Sequence, residues 1–433
     1  MFTCDNLGVN SAGRLTFAGQ DAASLAAQYG TPLYLMDEDR VRRNCRVYRE
    51  AMRAHFGGGS IPLYASKANS FAQIYRIMAE EGLGVDVVSR GEIHTAAKAG
   101  FDLSRAFFHG NAKTDADIAF AMERGVGWFV ADNAEEIAAI EAEAARRGLT
   151  QKVLLRLTPG IDPHTYEAVN TGRVDSKFGS AIETGQAEEL VTLTLSQEHI
   201  ELTGFHCHVG SQVFAEDVFE RAVVIMLEFI AAMRDRHGYT ARQLDLGGGY
   251  GVRYVAEDPV IDIGAKIGDV ARVFHETCAR LDLPEPDVLL EPGRSIVADA
   301  GLTLYTVASV KRIPGYKNYV AVDGGMADNP RYALYRSRYT CLPAGDMNAP
   351  RPFVCSVAGC CCESGDLIQE NVPLPEDIRR GDLLAVCTTG AYNYSMASNY
   401  NRLPRPPIVM LRGGASYVAV RRETPDELVA LDV

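Results

Sequence analysis

Short apolar runs alternate with amphipathic segments between residues 36 and 295. The amphipathic segments, such as SFAQIYRIMAEE and AEEIAAIEAEAARRG, carry apolar residues at intervals of three and four, which is typical of helices with one buried face. The apolar runs have the length of buried strands, and they are IPLYASKA, GLGVDVVS, AFFHGN, GWFVADNA, KVLLRLTP, LTGFHCHVGS, QLDLGGGYG and DVLLEPGR. Eight such strands predict a closed (β/α)₈ TIM barrel, although a doubly wound open sheet would show the same alternation.

The pattern changes after residue 295. Helical periodicity almost disappears, and β-rich runs separated by Gly and Pro turns follow one another. These runs are LTLYTVASVKRI, YVAVDGG, PFVCSVAG, DLLAVCTTG, PPIVML and ASYVAVRR. We therefore predict an α/β chain with a barrel domain over 36–295. A second, C-terminal all-β domain, similar to a β-sandwich or β-barrel, would comprise 296–433 and be joined by a strand from 1–35.

Composition narrows the class of protein. The 433 residues are 47% hydrophobic and 23% charged, as in a globular enzyme, and the formal net charge of −13 disfavours nucleic acid or an anionic membrane as a partner. The first residues lack the basic start and apolar core of a signal peptide, and the ten cysteines show no zinc-ligand spacing. We expect a cytoplasmic protein with reduced cysteines and no metal ion.

Chemically capable residues are concentrated where the barrel strands should end, which is where the active site of such a barrel lies. They are Lys67, Asp86, His109, Arg156, His206, His208, Ser211, the glycines 247–249, Glu291 and Arg294. Each one alone has an ordinary explanation, such as a solvated lysine, a core histidine or a surface turn. At one end of one barrel, however, they fit a single ligand.

That ligand needs an aldehyde for the amine, a phosphate for the glycines and a basic ring nitrogen for the carboxylate. Lys67 would bind the aldehyde as a Schiff base. Backbone N–H groups of the glycines 247–249 would bind a phosphate, with Ser211 as a further donor. Glu291 would stabilise the protonated ring nitrogen, which draws electrons from a bond that breaks at the α-carbon of the substrate. The residues thus indicate pyridoxal 5'-phosphate (PLP).

The same residues lie in motifs that resemble a known family. The motifs are YASKAN, GVDVVSRGE, FHGNAKT, GFHCHVGSQ, LDLGGGYG, EPGRS, DGGMADNPRYALY, CESGD and GAYNYSMASNYN. In this order, over nearly the whole chain, they are similar to the fold-type III PLP-dependent amino-acid decarboxylases, the alanine racemase/ornithine decarboxylase-like enzymes. Within the family they resemble the members that decarboxylate meso-2,6-diaminopimelate to L-lysine and CO₂, the last step of lysine biosynthesis.

The resemblance implies a role for each residue of the site. The catalytic positions are Lys67, His208 and Cys362. The cofactor-binding positions are Lys67, Asp86, Arg156, His208, Ser211, Gly248, Gly249, Glu291, Gly293, Arg294 and Tyr392. The substrate-binding positions are Arg294, Arg331, Tyr335, Glu363 and Tyr392. Arginine suits a carboxylate because its guanidinium binds both oxygens, whereas Glu363 suits the distal ammonium group.

The family works as a head-to-tail homodimer, in which Cys362 and Glu363 reach into the active site of the partner subunit. A cysteine beside the cofactor can return a proton to the α-carbon after CO₂ leaves. This chain departs from the family at one point, because the usual Gly-Pro and one further residue before CESGD are replaced by Gly359, Cys360 and Cys361. We expect the loss of the proline to free this loop and to place two more thiols beside Cys362.

Alternative functions remain open. Decarboxylases of D-lysine, D-ornithine or carboxynorspermidine share the barrel motifs. An amino-acid racemase would often have an arginine near the ring nitrogen, so Glu291 argues against it. A non-catalytic PLP-binding protein tends to be a single barrel, in which a β-domain bearing CESGD would be superfluous.

Overall fold

The computed structural model describes residues 2–161, 176–215 and 217–433. These residues form two compact units. One unit comprises Met1–Asn44, Val252–Val260 and Arg294–Val433, and the other comprises Cys45–Gly251 and Ile261–Gly293. The sequence-based boundaries at 35/36 and 295/296 stay a prediction. Among the described residues, no helix combines the length and the hydropathy needed to cross a membrane.

The N-terminal segment contains four short strands and one helix. They are β1 Leu7–Val9, β2 Leu15–Phe17, β3 Gln20–Asp21, α1 Ala22–Tyr29 and β4 Leu33–Asp37. Strands β1 to β3 form a small antiparallel sheet. Helix α1 begins after Asp21 because this side chain accepts the backbone N–H of Ser24 at 2.8 Å, which satisfies a free donor of the first turn.

Strands and helices then alternate through the middle of the chain. They are α2 Glu38–Phe56, β5 Ile61–Ala65, α3 Ala72–Glu80, β6 Gly84–Val87, α4 Arg90–Lys98, β7 Ala106–Phe108, α5 Asp115–Glu123, β8 Trp128–Ala131, α6 Ala134–Arg147, β9 Gln151–Thr158, β10 Ser180–Ala181, α7 Gln186–Leu195, β11 Ile200–His206, α8 Val218–His237, β12 Gln243–Asp245, α9 Ile263–Leu281 and β13 Asp287–Leu290. Several of these helices begin at side-chain caps that follow a strand, as Thr114 does for α5 and Asn133 for α6.

Eight parallel strands close into a barrel. Their order is β5-β6-β7-β8-β9-β11-β12-β13, and β13 pairs with β5 to complete the ring. Strand β10 pairs with β9 alone. The predicted TIM barrel is therefore confirmed, and each of the eight predicted runs contains a strand.

An apolar layer lies directly below the polar ends of the barrel strands. Leu63, Phe107, Val130, Leu154 and Leu289 form one buried cluster. Side chains two positions apart on a strand share a face, so Phe107, Leu154 and Leu289 share their faces with His109, Arg156 and Glu291. The hydrophobic layer supports a polar layer at the carboxyl ends of the strands.

The C-terminal part of the chain is rich in strands. Its elements are α10 Arg294–Val297, β14 Gly301–Lys311, β15 Tyr319–Val322, α11 Arg331–Tyr335, β16 Cys341–Pro343, β17 Phe353–Ala358, β18 Leu367–Leu374, β19 Leu383–Cys387, β20 Ile408–Arg412, β21 Ala415–Val420 and α12 Pro425–Leu428. Their sheet has the order β18-β17-β15-β14-β4-β20-β21, with β19 on β14 and β16 on β19. The N-terminal strand β4 thus joins this sheet, as predicted, and a sheet-rich C-terminal domain is confirmed.

Candidate active site

Lys67 lies in a tight turn directly after the first barrel strand. Strand β5 ends at Ala65, earlier than predicted, and residues 66–68 form one turn of 3₁₀ helix. Lys67 Nζ lies 3.2 Å from Oδ2 of Asp86, whose side chain is fully buried within β6. The lysine side chain itself is 41% exposed. Its ammonium group is therefore both paired and accessible.

Gly293 allows this turn to pack closely against the end of the last barrel strand. A Cβ atom at Gly293 would lie 2.9 Å from Cβ of Ala65 and 3.0 Å from Cβ of Ala68. Real Cβ contacts are rarely so short, so a larger residue would push the turn that carries Lys67 away. Gly293 therefore acts on the position of Lys67 through packing.

Glu291 follows β13 and contacts two buried histidines. His109 Nε2, which follows β7, lies 2.7 Å from Glu291 Oε1. His206 Nε2, at the end of β11, lies 3.3 Å from Glu291 Oε2 and makes a hydrogen bond. The two imidazole rings meet edge to face with their centroids 4.9 Å apart. The structure thus brings three of the predicted residues into one cluster.

Burial and charge determine how these groups ionise. Burial lowers the pKa of His206 to about 4, and burial together with Lys67 and Arg156 lowers the pKa of His208 well below its usual value. Burial alone would raise the pKa of Glu291, but His109 and His206 outweigh it and hold this pKa well below the usual range. At neutral pH the site therefore contains neutral His206 and His208 beside an ionised Glu291.

Arg156 adds a further cation on strand β9. Burial lowers its pKa, and Asp132, Glu291 and Asp86 oppose this effect. Its guanidinium carbon lies 4.4 Å from the centre of the Phe178 ring. An arginine so placed remains charged at neutral pH, since its pKa is ordinarily above about 12. Arg156 therefore balances part of the negative charge of this layer.

Several buried polar atoms of this cluster have unused hydrogen-bonding capacity. Glu291 Oε1, Asp86 Oδ1 and His206 Nδ1 are buried and make no hydrogen bond with any residue in the described part of the chain. Unsatisfied buried polar atoms are uncommon in folded proteins and often mark a ligand or water. A cofactor with a ring N–H and a polar ring substituent fits this set of acceptors.

The glycine-rich loop after β12 is held by close backbone contacts. Gly247 and Gly249 have φ of 67° and 119°, a region that favours glycine. A Cβ atom would lie 2.0 Å from the carbonyl oxygen of Glu291 at Gly248, and 2.1 Å from that of Gly210 at Gly249. The loop therefore requires glycine at these positions.

Two backbone N–H groups of this glycine-rich loop have acceptors within the protein. The N–H of Gly247 donates to Oδ1 of Asp245 at 2.8 Å, and the N–H of Gly248 donates to Nδ1 of His208 at 3.3 Å. The expectation of three consecutive donors to a phosphate is wrong for Gly247, because Asp245 at the strand end takes its N–H. Ser211 lies in the loop that follows β11, between His208 and Gly249 along the chain.

A second group of predicted residues lies together in the sheet-rich unit. Arg294 Nη1 donates to the hydroxyl oxygen of Tyr254 at 2.8 Å. The guanidinium carbons of Arg294 and Arg331 lie 4.7 Å and 5.4 Å from the centre of the Tyr392 ring, and that of Arg331 lies 5.5 Å from the Tyr335 ring. Two arginines and two of the predicted tyrosines thus form one cluster.

Arg331 is buried within the sheet-rich unit. It is the first residue of helix α11. Its Nη2 donates to Ser337 Oγ at 3.2 Å, while its Nε has no hydrogen-bond partner among the described residues, and these residues offer it no carboxylate ion pair. A buried guanidinium without a protein anion is costly, so an anionic ligand would stabilise it.

Cys362 and Glu363 lie in an exposed loop between β17 and β18. The backbone N–H of Cys362 donates to Oδ1 of Asn401 at 2.9 Å. Glu363 Oε1 accepts the N–H of Gly365 at 3.1 Å, and its side chain is exposed. Neither residue contacts the arginine cluster through a recorded hydrogen bond or ion pair within the described chain.

Residues 38–298 match the family described as "Pyridoxal-dependent decarboxylase, pyridoxal binding domain". The chain belongs to this family. It is 42% identical to the diaminopimelate decarboxylase of Bacillus subtilis over 424 residues, which cover 98% of this chain and 96% of that protein. Accordingly, this decarboxylase is a PLP-dependent lyase, and PLP is its cofactor.

Solved structures resemble this decarboxylase over its full length. The crystal structure of diaminopimelate decarboxylase from M. jannaschii in co-complex with L-lysine has a TM-score of 0.91 and 32% sequence identity, and the match covers 100% of this chain and 99% of that one. Lysine/ornithine decarboxylase from Vibrio vulnificus complexed with putrescine has a TM-score of 0.74 and 25% identity, with 90% and 97% covered.

Sequence reasoning missed several partners of the site in this decarboxylase. His109 and His206 were noted at strand ends, but their contact with Glu291 joins strands far apart in the chain. Tyr254 gave no signal, since it lies in an irregular segment, and Asn401 was included only as the last residue of the motif GAYNYSMASNYN, without a role. The one feature of the sequence that could have indicated these contacts was the position of His109 and His206 at the ends of strands.

Proposed function

We propose that the protein decarboxylates meso-2,6-diaminopimelate at its D-centre, giving L-lysine and CO₂ in the last step of lysine biosynthesis. The observation that carries this proposal is the 42% identity with the Bacillus subtilis enzyme over 98% of the chain. The similar M. jannaschii structure was determined with L-lysine, which is the product of this reaction.

The residues of the barrel would bind and orient the cofactor. Bound PLP supplies the electron sink for the electron pair that remains on the α-carbon when CO₂ leaves. Lys67 is the attachment point for its aldehyde, and Asp86, 3.2 Å away, holds the amine in place. Ionised Glu291 is the partner of the ring nitrogen, and neutral His208 packs on the ring without adding a charge.

We assign the remaining cofactor contacts to the segments after β11, β12 and β13, to Arg156 of β9 and to Tyr392 after β19. Gly248 and Gly249, which pack closely against the carbonyl oxygens of Glu291 and Gly210, are assigned to the phosphate. The other residues assigned to cofactor binding are Ser211, Gly293, Arg156, Arg294 and Tyr392. Arginine and backbone donors are the groups that bind phosphate best in proteins.

The residues of the sheet-rich unit would bind the substrate. Arg331 makes no ion pair with a carboxylate in the described residues and suits a substrate carboxylate, with Tyr335 and Tyr392 beside it. Arg294 is assigned to the same task. Glu363 would bind the distal ammonium, and Cys362 would return a proton to the α-carbon. An acid and two arginines match a substrate that has charged groups at both ends.

The protein is further proposed to act as a head-to-tail homodimer with shared active sites. Cys362 and Glu363 are exposed, as residues that act in the partner subunit must be in a single chain. Mixing Lys67→Ala with Cys362→Ala protomers should restore part of the activity, because one of the two mixed sites is then intact. No recovery in a heterodimer shown by mass spectrometry would contradict the shared site.

A cytoplasmic location is proposed as well, since all ten cysteines are free thiols, as in a reducing compartment.

The runner-up is a decarboxylase of another basic amino acid. The likeness to lysine/ornithine decarboxylase from Vibrio vulnificus, at 25% identity, keeps this alternative open. A CO₂-release assay with meso-diaminopimelate, D-lysine, D-ornithine and carboxynorspermidine decides between them. We expect kcat/KM to be highest for meso-diaminopimelate, and a higher value for any of the others would overturn the proposal.

A further inference from the structure

An imidazole nitrogen lies close to each carboxylate oxygen of Glu291, and the contact with His206 is a hydrogen bond. His109 Nε2 lies 2.7 Å from Oε1, and His206 Nε2 lies 3.3 Å from Oε2. All three side chains are buried, with at most 5% of each residue exposed. An ionised carboxylate at such a depth is stable only if cations or hydrogen-bond donors surround it. The two histidines provide these contacts, one at each oxygen.

The direction of the His206 hydrogen bond follows from its ionisation. Burial lowers the pKa of His206 to about 4, so its ring is neutral near pH 7 and carries one N–H. Ionised Glu291 can only accept a hydrogen bond, which places this N–H on Nε2. His206 is therefore a neutral donor that fixes one oxygen of the carboxylate without neutralising its charge.

His109 contacts a second carboxylate of the same site. Its Nε2 lies 3.9 Å from Oδ1 of Asp86, whose Oδ2 lies 3.2 Å from Nζ of Lys67. Lys67, Asp86, His109 and Glu291 thus form a continuous row from the attachment lysine to the partner of the ring nitrogen. The ring nitrogen of His109 therefore lies close to both carboxylate groups of the site.

We propose that His109 and His206 are positioning residues, which hold the two oxygens of Glu291 so that an ionised carboxylate stays fixed for the ring nitrogen of the cofactor. This inference rests on PLP as the cofactor and deepens the proposed role of Glu291. The histidines act through Glu291, and neither is assigned a contact with the reacting atoms. The other charged groups that face Glu291 are Asp86, Arg156 and Asp245.

The three side chains have the donor atoms of a metal site, since these atoms lie within 4.8 Å of one another. The direct contacts of 2.7 and 3.3 Å use the same nitrogens and oxygens that would bind an ion. The hydrogen bond of His206 and the close contact of His109 account for the arrangement with the protein atoms alone.

The test measures the protonation of the ring nitrogen itself. The purified holoenzyme is loaded with PLP labelled with ¹⁵N in the ring, and the chemical shift of this nitrogen is read by NMR, without substrate. We expect a protonated nitrogen in the wild type and an unprotonated one in Glu291→Gln. In His206→Leu and His109→Leu the protonated fraction should fall, and kcat should fall by about tenfold to a hundredfold, the usual effect of a lost hydrogen bond to a charged group.

A conservative variant separates positioning from packing. In His206→Gln the side-chain amide can place an N–H near the position of Nε2, so most of the lost protonation and kcat should return. His199 provides a matched control, because it precedes the same strand β11 at its other end and binds Glu141 at 2.8 Å. His199→Leu removes a His–Glu pair of the same unit and should leave the chemical shift of the PLP ring nitrogen unchanged.

Two results would overturn the proposal. One is a wild-type nitrogen shift in the folded double variant His109→Leu/His206→Leu. The other is a fall in the protonated fraction and in kcat that is as large in His206→Gln as in His206→Leu. This result would show that the shape of the ring matters and the N–H does not. If the wild type bound labelled PLP but released no CO₂ from meso-diaminopimelate, the substrate proposal would fail while this test remained valid.

Discussion

The carboxylate of Asp366 accepts the backbone N–H of Cys361 at 2.7 Å. Its other oxygen accepts the N–H of Met326 at 2.6 Å, so one side chain ties the loop of three cysteines to the segment after β15. The next N–H, of Cys362, donates to Asn401. These three hydrogen bonds restrain the backbone of the loop.

Replacing Asp366 by asparagine should therefore loosen the loop. The amide offers one acceptor where the carboxylate offers two, so one backbone N–H loses its partner. We expect Asp366→Asn to lower the free energy of unfolding by about 1–3 kcal/mol, measured by urea denaturation, and to lower kcat. Asp377→Asn is the control, since Asp377 is exposed and has no hydrogen bond among the described residues. Equal stability of both variants would show that the two hydrogen bonds of Asp366 are unimportant.

Lys67 should be indispensable for the colour of the enzyme. An amine bonded to the cofactor aldehyde gives a visible absorbance band, and alanine has no amine. We expect Lys67→Ala to lose this band and to release no CO₂. Lys98→Ala removes an exposed lysine of helix α4 and should keep both. A colourless wild-type protein that still released CO₂ would contradict the assignment of Lys67.

The backbone approach at Gly249 should limit cofactor retention. In Gly249→Ala the new Cβ would meet the carbonyl oxygen of Gly210 at 2.1 Å, and φ of 119° is unfavourable for alanine. We expect PLP affinity, measured by equilibrium dialysis, to fall at least tenfold. In the control Gly264→Ala the nearest atom is 3.5 Å away, so no loss is expected. Unchanged affinity in Gly249→Ala would mean that the loop shifts without cost.

The sequence predicted the barrel because each strand is short, apolar and separated from the next by a helix. It placed Lys67, Glu291 and the histidines at strand ends, because the end of a strand can be recognised from the neighbouring residues in the sequence. It did not predict that Arg331 begins a buried helix, or that strands β16 and β18 exist. DNPRYALY is too short to show helical periodicity, and the strand Leu367–Leu374 carries Gln, Glu, Asn and Pro among its apolar residues.

The contacts between segments that are distant in the sequence could not be predicted from local patterns either. Asp245 takes the N–H of Gly247, and His206 meets Glu291 across 85 residues of sequence. Such contacts depend on the tilt and register of neighbouring strands. A hydrophobic pattern constrains which face a side chain occupies but does not determine its partner.

Glu363 should govern the choice of substrate. Glu363→Gln keeps the shape of the side chain and removes the charge that would bind a distal ammonium. We expect KM for meso-diaminopimelate to rise by about tenfold, because a charge-assisted hydrogen bond is lost, while PLP affinity stays unchanged. Steady-state kinetics and equilibrium dialysis measure the two. Unaltered KM would remove Glu363 from the substrate site, and weaker PLP binding would assign it a different role.

His206 should make the stability of the protein depend on pH. Burial lowers its pKa from 6.5 to about 4, so between these values the unfolded chain binds a proton that the folded protein does not. The free energy of unfolding should then fall as the pH drops through this range, with His206 contributing about 3 kcal/mol of the change.

Urea denaturation near pH 7 and near pH 4.5 measures this decrease, and His206→Gln should show a smaller decrease than the wild type. The lowered pKa of Glu291 acts in the same direction, and because His206 helps to lower it, the variant reduces this contribution as well, whereas the raised pKa of Asp245 acts in the opposite direction. His275→Gln serves as the control: because Glu285 and the carbonyl of His55 raise the pKa of His275 against the effect of burial, its loss should change the pH dependence with the opposite sign. An equal decrease in the wild type and in His206→Gln would show that His206 is protonated in the folded protein, and Glu291 would then have a charged neighbour instead of a neutral donor.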